Sequence, residues 1–215
     1  MGIQDFGENF SLTKFYQARE IAIEMTHELA SFIMSGMTED QAHEQYKKIC
    51  KNHHIDKNWH PAKIRFGSNT LKNFKEPSDP YILQDHDIFY IDIGPVVDGH
   101  EADYGETFVL GSDFEHRHIA DCSQKLFKEV SNQWKKNALK GPELYIWARQ
   151  RAHEMGYQLN MGSDGHRISD FPHHLFFKGG IIDCQEALLP NAWILEIQLD
   201  HPKLKFGAFF EDILT

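Results

Sequence analysis

The sequence predicts an α+β fold built from two halves of the same element order: helix, helix, strand hairpin. Three observations predict it. Apolar residues recur at helical spacing through two separate stretches, about 11–51 and about 114–156. Each stretch is followed by two apolar runs of strand character, within 87–110 and 192–215. Each run has a carboxylate in it or at its start, Asp92 and Asp103 in the first half and Glu196 and Glu211 in the second. The repeat is one of element order, not of letters. No Ser/Gly-rich linker separates the halves, so a single domain over 1–215 is expected, with residues 1–10 as a loose leader.

The elements follow in order. From Ser11 to about Ser35, Leu12, Phe15, Ile21, Met25, Leu29, Phe32 and Ile33 keep helical spacing, with Gly36 available to close the helix. Thr38-Glu-Asp-Gln41 is a capping-box pattern that starts a second helix running to about Lys51. An irregular stretch through Trp59-His-Pro61 leads to a short strand around Lys63–Phe66, a proline-containing loop and the hairpin of 87–110. In the second half a helix spans about Phe114 to Asn137, with Ala120, Leu126, Phe127, Val130 and Trp134 inward. Gly141-Pro142 opens the next helix, with proline at a permitted first position, and Gly156 marks its end. A Gly- and His-rich segment at 161–180 precedes two closing strands, about 192–199 and 208–215.

Composition narrows the function classes. A hydrophobic content of 41% and a charged content of 25% over 215 residues describe one ordinary soluble domain. The net charge of -10 argues against a nucleic-acid partner, which calls for a basic face. No apolar run approaches the length of a membrane span, and the N-terminus lacks the charged-then-apolar pattern of a secretory signal, so the cytoplasm is the expected location. Cys50, Cys122 and Cys184 are odd in number and widely spaced, which speaks for reduced thiols rather than a disulfide framework or a thiolate zinc site.

The four strand acids carry the chemistry. Strand alternation puts Ile88, Tyr90, Asp92 and Gly94 on one face and Phe89, Ile91 and Ile93 on the other. Asp103, Gly105 and Thr107 share a face, as do Ile194, Glu196 and Gln198, and Phe209, Glu211 and Ile213. If a pseudo-twofold axis brings the hairpins together, four carboxylates face one cavity and cannot all ionise without counter-charge. Two divalent cations would supply it, and a carboxylate-rich site with one imidazole suits Mn, Co, Fe or Zn. The expected imidazole is His166, in Gly162-Ser-Asp-Gly-His-Arg167. Glu106 and Asp212 are read as surface or salt-bridged acids, and His53-His54 as a solvated pair at a helix end. Single aromatics such as Trp59, Phe74, Phe176 and Phe177 belong to the core more often than not, with a substrate-pocket wall as the alternative for each.

Five residues in this order, Asp92, Asp103, His166, Glu196 and Glu211, resemble the metal-ligand set of the methionine aminopeptidase, aminopeptidase P and prolidase superfamily, metallopeptidase family M24, with its pita-bread fold. The spacing of eleven between the aspartates, Thr107 after the second, the Gly-His pair and a final Glu near the end carry the resemblance. It implies that Asp92 chelates one metal ion, that Asp103 and Glu211 bridge two, and that His166 and Glu196 complete the other. A hydroxide held between the ions would be the nucleophile. Glu196 would also pass the proton to the leaving amine. His173, seven residues after His166, would stabilise the tetrahedral intermediate, with the adjacent His174 as competitor for that role.

The chain departs from the family in three places. A histidine that contacts substrate shortly before the first Asp falls here on Phe74; His86 is too close to Asp92 to replace it, and His60 is upstream. His173-His-Leu-Phe176 stands where the family has His-Glu-x-Pro, and Arg167 follows His166 where methionine aminopeptidases have glycine. These differences argue against a housekeeping methionine aminopeptidase. No N-terminal domain of the aminopeptidase P kind is expected. The resemblance implies a dinuclear hydrolase that cuts an amide bond near the amino end of a short peptide or peptide-like molecule. His174, Phe74 and Thr107 are its candidate substrate contacts. The alternatives are a creatinase-like hydrolase of a non-peptide C–N bond and a non-catalytic binding module. The only macromolecular partner left open is a second copy in a homodimer.

Overall fold

The computed structural model describes residues 2–215. Helix α1 (Leu12–Phe32) buries Phe15, Ala18, Ala22, Met25 and Leu29, a run of three- and four-residue steps that keeps one stripe on the core. The chain turns extended at Ile33, so the helix ends before Gly36, whose positive φ serves the turn beyond it. Helix α2 (Glu39–Asn52) starts on the expected capping box, with Thr38 and Gln41 each satisfying the other's backbone N–H. In the second half α3 (Phe114–Asn137) is capped by Asp113, and α4 (Gly141–Glu154) begins at the Gly-Pro pair. Gly141 cannot carry a Cβ, which would lie 1.7 Å from the Ile181 carbonyl oxygen.

The strands are β1 (Lys63–Phe66), β2 (Asp87–Ile93), β3 (Val96–Val97), β4 (His100–Glu101), β5 (Tyr104–Leu110), β6 (Gln158–Leu159), β7 (His166–Arg167), β8 (Trp193–Asp200) and β9 (Gly207–Ile213). The main sheet is antiparallel in the order β1-β2-β5-β9-β8-β6, with β7 pairing on β8. This order is symmetric about the β5/β9 seam: β1-β2-β5 on one side matches β6-β8-β9 on the other. β3 and β4 form a small hairpin inside the β2–β5 connection.

One sheet face packs under the helices. Met25, Leu29, Tyr46 and Ile49 meet Phe89, Ile91 and Ile93, while Leu126, Val130, Leu144 and Tyr145 meet Leu195, Ile197, Leu199 and Phe210. Glu106 and Asp212, both on this face, are paired, as expected. Asp212 takes a two-pronged contact from Arg19 of α1, and Glu106 meets His27, Tyr104 and Gln124. All three cysteines are buried and unpaired. Among the described residues, no helix is long and apolar enough to cross a membrane.

The segment expected to be a loose leader is instead docked. Gln4 is buried. Its side-chain oxygen accepts from Leu189 N at 2.8 Å and Trp193 Nε1 at 2.7 Å, and its amide donates to Ala187 O and Glu186. Arg167, fully buried, donates to the carbonyls of Ile3 (2.9 Å), Asp5 (2.8 Å), Ile168 (2.7 Å) and Ala192. Polar residues that tie down a tail leave no periodic signature, which is why the leader reads as loose. Arg167→Ala leaves several buried carbonyls without donors and should cost about 3 kcal/mol in urea unfolding. It should also open Phe6 and Phe10 to chymotrypsin. Unchanged stability and an uncut N-terminus would show that Arg167 does not hold the segment.

Candidate metal centre

Register brings the acids together. Asp92 pairs with Gly105 across β2/β5, Gly105 with Glu211 across β5/β9, and Glu211 with Glu196 across β9/β8. The four positions make one row across four strands, on the face away from the helices. Gly105 leaves the middle of that row open, since a Cβ there would lie 2.5 Å from the Phe209 ring and 2.8 Å from Glu211 Oε1. Asp103, two residues before Gly105, points to the same face. His166 is opposite Ile194, two residues before Glu196, and joins the cluster from β7.

The histidine contacts are close. His166 Nε2 lies 2.7 Å from Asp103 Oδ2 and 3.9 Å from Glu196 Oε1. A second imidazole sits opposite. His60 Nε2 is 3.3 Å from Asp103 Oδ1 and 3.4 Å from Asp92 Oδ1. Donor atoms of His60, Asp92 and Asp103 all fall within 4.8 Å of one another. Reading His60 as merely upstream is therefore corrected. The irregular stretch that holds it folds over the end of β2, with Trp59 N bonded to Gly94 O at 2.9 Å and Val96 N to Lys57 O at 2.9 Å. The one hint in the sequence is the dense Trp-His-Pro triplet outside any periodic element.

The acids open on a cavity of ≈ 290 Å³ walled by Trp59, Phe74, Tyr90, Phe177 and Phe209, with Lys75 and Lys178 also lining it. Trp59, Phe74 and Phe177 thus line the pocket, and Phe177 also packs against Trp193 of the core. Phe74 is 41% exposed and meets the His60 ring edge-on at 5.6 Å. His173 is buried in the wall, its Nδ1 2.5 Å from Glu101 Oε2 and its N–H donating to Glu101 Oε1 at 3.0 Å. Glu101 looks in the sequence like a polar residue of a hairpin connection, and its role as partner to His173 is not legible there. His174 is exposed at the cavity mouth, its ring centroid 4.1 Å from that of His173. Thr107, expected at the substrate, does not line the cavity. Its hydroxyl donates to Phe209 O at 2.9 Å and accepts from Phe209 N at 2.7 Å, extending the β5/β9 seam.

The electrostatics call for a cation. Burial pushes Asp92 up to about 6, Glu196 up to about 8 and Glu211 well above the carboxylate range, and the neighbouring Asp103 charge adds to each. For Asp103 burial is outweighed by hydrogen bonds from His166 and His60, which bring it down to about 2. Burial alone would lower the two histidines, but the carboxylates beside them raise both to about 9. Asp92 Oδ1 and Glu211 Oε1 are buried with no hydrogen-bond partner. Buried carboxylate oxygens without partners, beside imidazole nitrogens and the space left by Gly105, fit a divalent ion bound by mixed oxygen and nitrogen donors.

Comparison with known proteins gives the family and the fold. The profile of metallopeptidase family M24 matches residues 13–211. Methionine aminopeptidase A of Synechocystis is 27% identical over 106 residues, 47% of this chain and 42% of that protein. Among solved structures, the prolidase of Pyrococcus furiosus superposes with a TM-score of 0.76 at 20% identity, over 98% of this chain and 62% of that one. An Xaa-Pro dipeptidase from Bacillus anthracis gives 0.79 at 17% identity, over 98% and 59%. These two establish the pita-bread fold. The chain spans less than two thirds of the length of each of these relatives.

A pH dependence follows for the metal-free protein. Asp92 and Glu196 have folded-state values raised above 3.8 and 4.5, so the stability they contribute is full below those values and is lost as pH rises through about 6 and about 8. His60 and His166, raised from 6.5, contribute stability that is lost as pH rises through about 9. Asp103 and His173 have the opposite sign: their contributions are full above 3.8 and 6.5 and are lost as pH falls through about 2. The thermal midpoint without metal should therefore fall between about pH 5 and about pH 9, and the gain from added Mn²⁺ or Co²⁺ should grow over the same range as binding displaces protons. A metal-free midpoint that is flat or rises across the window contradicts this account.

Proposed function

The chain belongs to metallopeptidase family M24, and from that premise we propose that it is a dinuclear metal-dependent hydrolase that cleaves an amide bond near the amino end of a short peptide or peptide-like substrate. The observation that carries the proposal is the row of Asp92, Glu211 and Glu196 across the sheet, with two partnerless carboxylate oxygens facing a ring-walled cavity. In this reading Asp92 would hold one ion, Asp103 and Glu211 would be shared by both, and His166 and Glu196 would hold the other. When bound, the ions supply Lewis acidity and bring the pKa of water toward neutrality, as amide hydrolysis at neutral pH requires.

The chain's own groups do the rest. Glu196 lines the cavity and is the carboxylate that would pass the proton to the leaving amine. His173 is kept uncharged by burial and by the charges of His166 and His174, which bring it down to about 2. Glu101, pushed up to about 7 by burial, can itself be the donor to His173 Nδ1, leaving the Nε2–H free to donate to the substrate carbonyl oxygen. The aromatic walls exclude water and suit an apolar side chain beside the scissile bond. The Synechocystis relative is named for methionine removal and the solved structures for Xaa-Pro cleavage. A peptide substrate is common to both, and no proline or methionine preference is proposed.

Asp103→Ala and Glu211→Ala should each abolish both tight metal binding and turnover of a panel of dipeptides, Xaa-Pro peptides and small amides. Two tightly bound ions and full turnover in either variant would remove the site assignment. Turnover of small amides alone by the unaltered protein would replace peptides with a non-peptide C–N bond. Glu101→Ala should lower kcat on the order of 10–100-fold with metal content unchanged, and Glu101→Gln, which can still donate to Nδ1, should restore most of it. A wild-type kcat in Glu101→Ala would take His173 out of the reaction.

A further inference from the structure

His60 stands in a geometric relation to Asp103 that repeats that of His166. His166 Nδ1 is 2.6 Å from the carbonyl oxygen of the next residue, Arg167, and its Nε2 faces Asp103 Oδ2. His60 Nδ1 is 3.0 Å from the carbonyl oxygen of its next residue, Pro61, and its Nε2 faces Asp103 Oδ1. A carbonyl oxygen only accepts, so in both rings Nδ1 carries the hydrogen. Nε2 is then the ring atom aimed at carboxylate oxygens; without an ion it donates its hydrogen to them, and a cation bound between them would take the place of that proton. For His60 those oxygens belong to Asp103 and to Asp92, whose Oδ1 has no hydrogen-bond partner.

The ring is held in this pose from all sides. Trp59 packs against it edge-on at 4.3 Å and is itself fixed by Nε1 donating to Ala102 O at 2.9 Å. Asn58 accepts from the Tyr46 hydroxyl at 2.6 Å. Gly94 makes room for the pair, since a Cβ there would lie 2.2 Å from His60 Cδ2 and 2.4 Å from Trp59 Nε1. An imidazole this constrained, and only 7% exposed, is preorganised toward Asp92 and Asp103 rather than toward solvent.

We infer that His60 Nε2 is a sixth protein donor to the metal pair, binding the ion held by Asp92, so that each ion has one imidazole. This rests on the two-ion reading proposed above. It means that the Asp92 ion is not held by carboxylates alone, and that its preference moves from oxygen-loving Mn²⁺ toward Co²⁺ or Zn²⁺.

The test is Co²⁺ titration of metal-free protein by calorimetry and visible absorption, with His60→Ala and His60→Gln beside the unaltered chain. Far-UV circular dichroism checks each fold; His60→Gln keeps most of the volume and decides the matter if His60→Ala does not fold. The unaltered chain should bind two ions. Each variant should keep one at its original affinity and bind the other on the order of 100-fold more weakly, with a changed Co²⁺ spectrum. Added imidazole should restore the lost site in His60→Ala. Two ions bound as tightly as before, with an unchanged spectrum, would overturn the inference and leave His60 as a contact to substrate. No uptake of Co²⁺ by the unaltered chain would sink the two-ion reading itself, and this inference with it.

Discussion

The rest of the structure depends on a register. One cross-strand row takes Asp92, Gly105, Glu211 and Glu196 through the four central strands, and a slip of one residue in any of them would turn its acid into the helix-covered core. The opposite face holds the register in place. Ile91, Phe210 and Ile197 lie on the helix side of the neighbouring positions, so the apolar core can form only when the acids face away from it. The hydrophobic effect thus places charges where electrostatics alone would never gather them. Bringing several carboxylates out of water costs several kcal/mol each. The protein offsets part of that cost with His60 and His166, and leaves two oxygens uncompensated at the place where a cation fits.

The same logic explains the supporting parts. Gly105 is a glycine because the centre of the row must stay empty, and Gly94 because two rings must pass over it. Trp59 stands among three imidazoles, 4.3 Å from His60, 4.9 Å from His166 and 5.0 Å from His173, and so joins contributions from both halves of the chain. Arg167 links strand β7 to the N-terminal segment through the carbonyls of Ile3 and Asp5 and the ring of Phe6, so that segment packs behind the strand that carries His166.

Much of this was legible in the sequence. Carboxylates in apolar strands betray themselves because strand alternation has a period of two and the cost of burying charge is large. The helices were legible in their three- and four-residue steps and in the capping box at Thr38. What the sequence hid is what tertiary docking decides. His60 belongs to a stretch without periodicity, and tertiary bonds such as those of Trp59 to Gly94 and of Val96 to Lys57 carry it to the acids. Glu101 resembles any polar residue of a connection until His173 arrives from seventy-two positions away. Thr107 resembles a pocket residue, yet its hydroxyl is occupied by the backbone of β9.

That last contact bears on how long the folded molecule survives. The β5/β9 seam has two paired positions, Gly105↔Glu211 and Glu106↔Phe210, and the Thr107 hydroxyl extends it by one more. Its partners are more than a hundred residues apart, whereas each hairpin closes locally, so closing the seam carries the larger loop-closure cost. Asp92 and Asp103 stand on one side of it, and His166, Glu196 and Glu211 on the other. An ion held across it would form its bonds only after the halves have docked. Its effect would therefore be to slow the parting of the halves rather than to hasten their meeting. Metal supply would then govern the lifetime of the native state, like a clasp on a finished join.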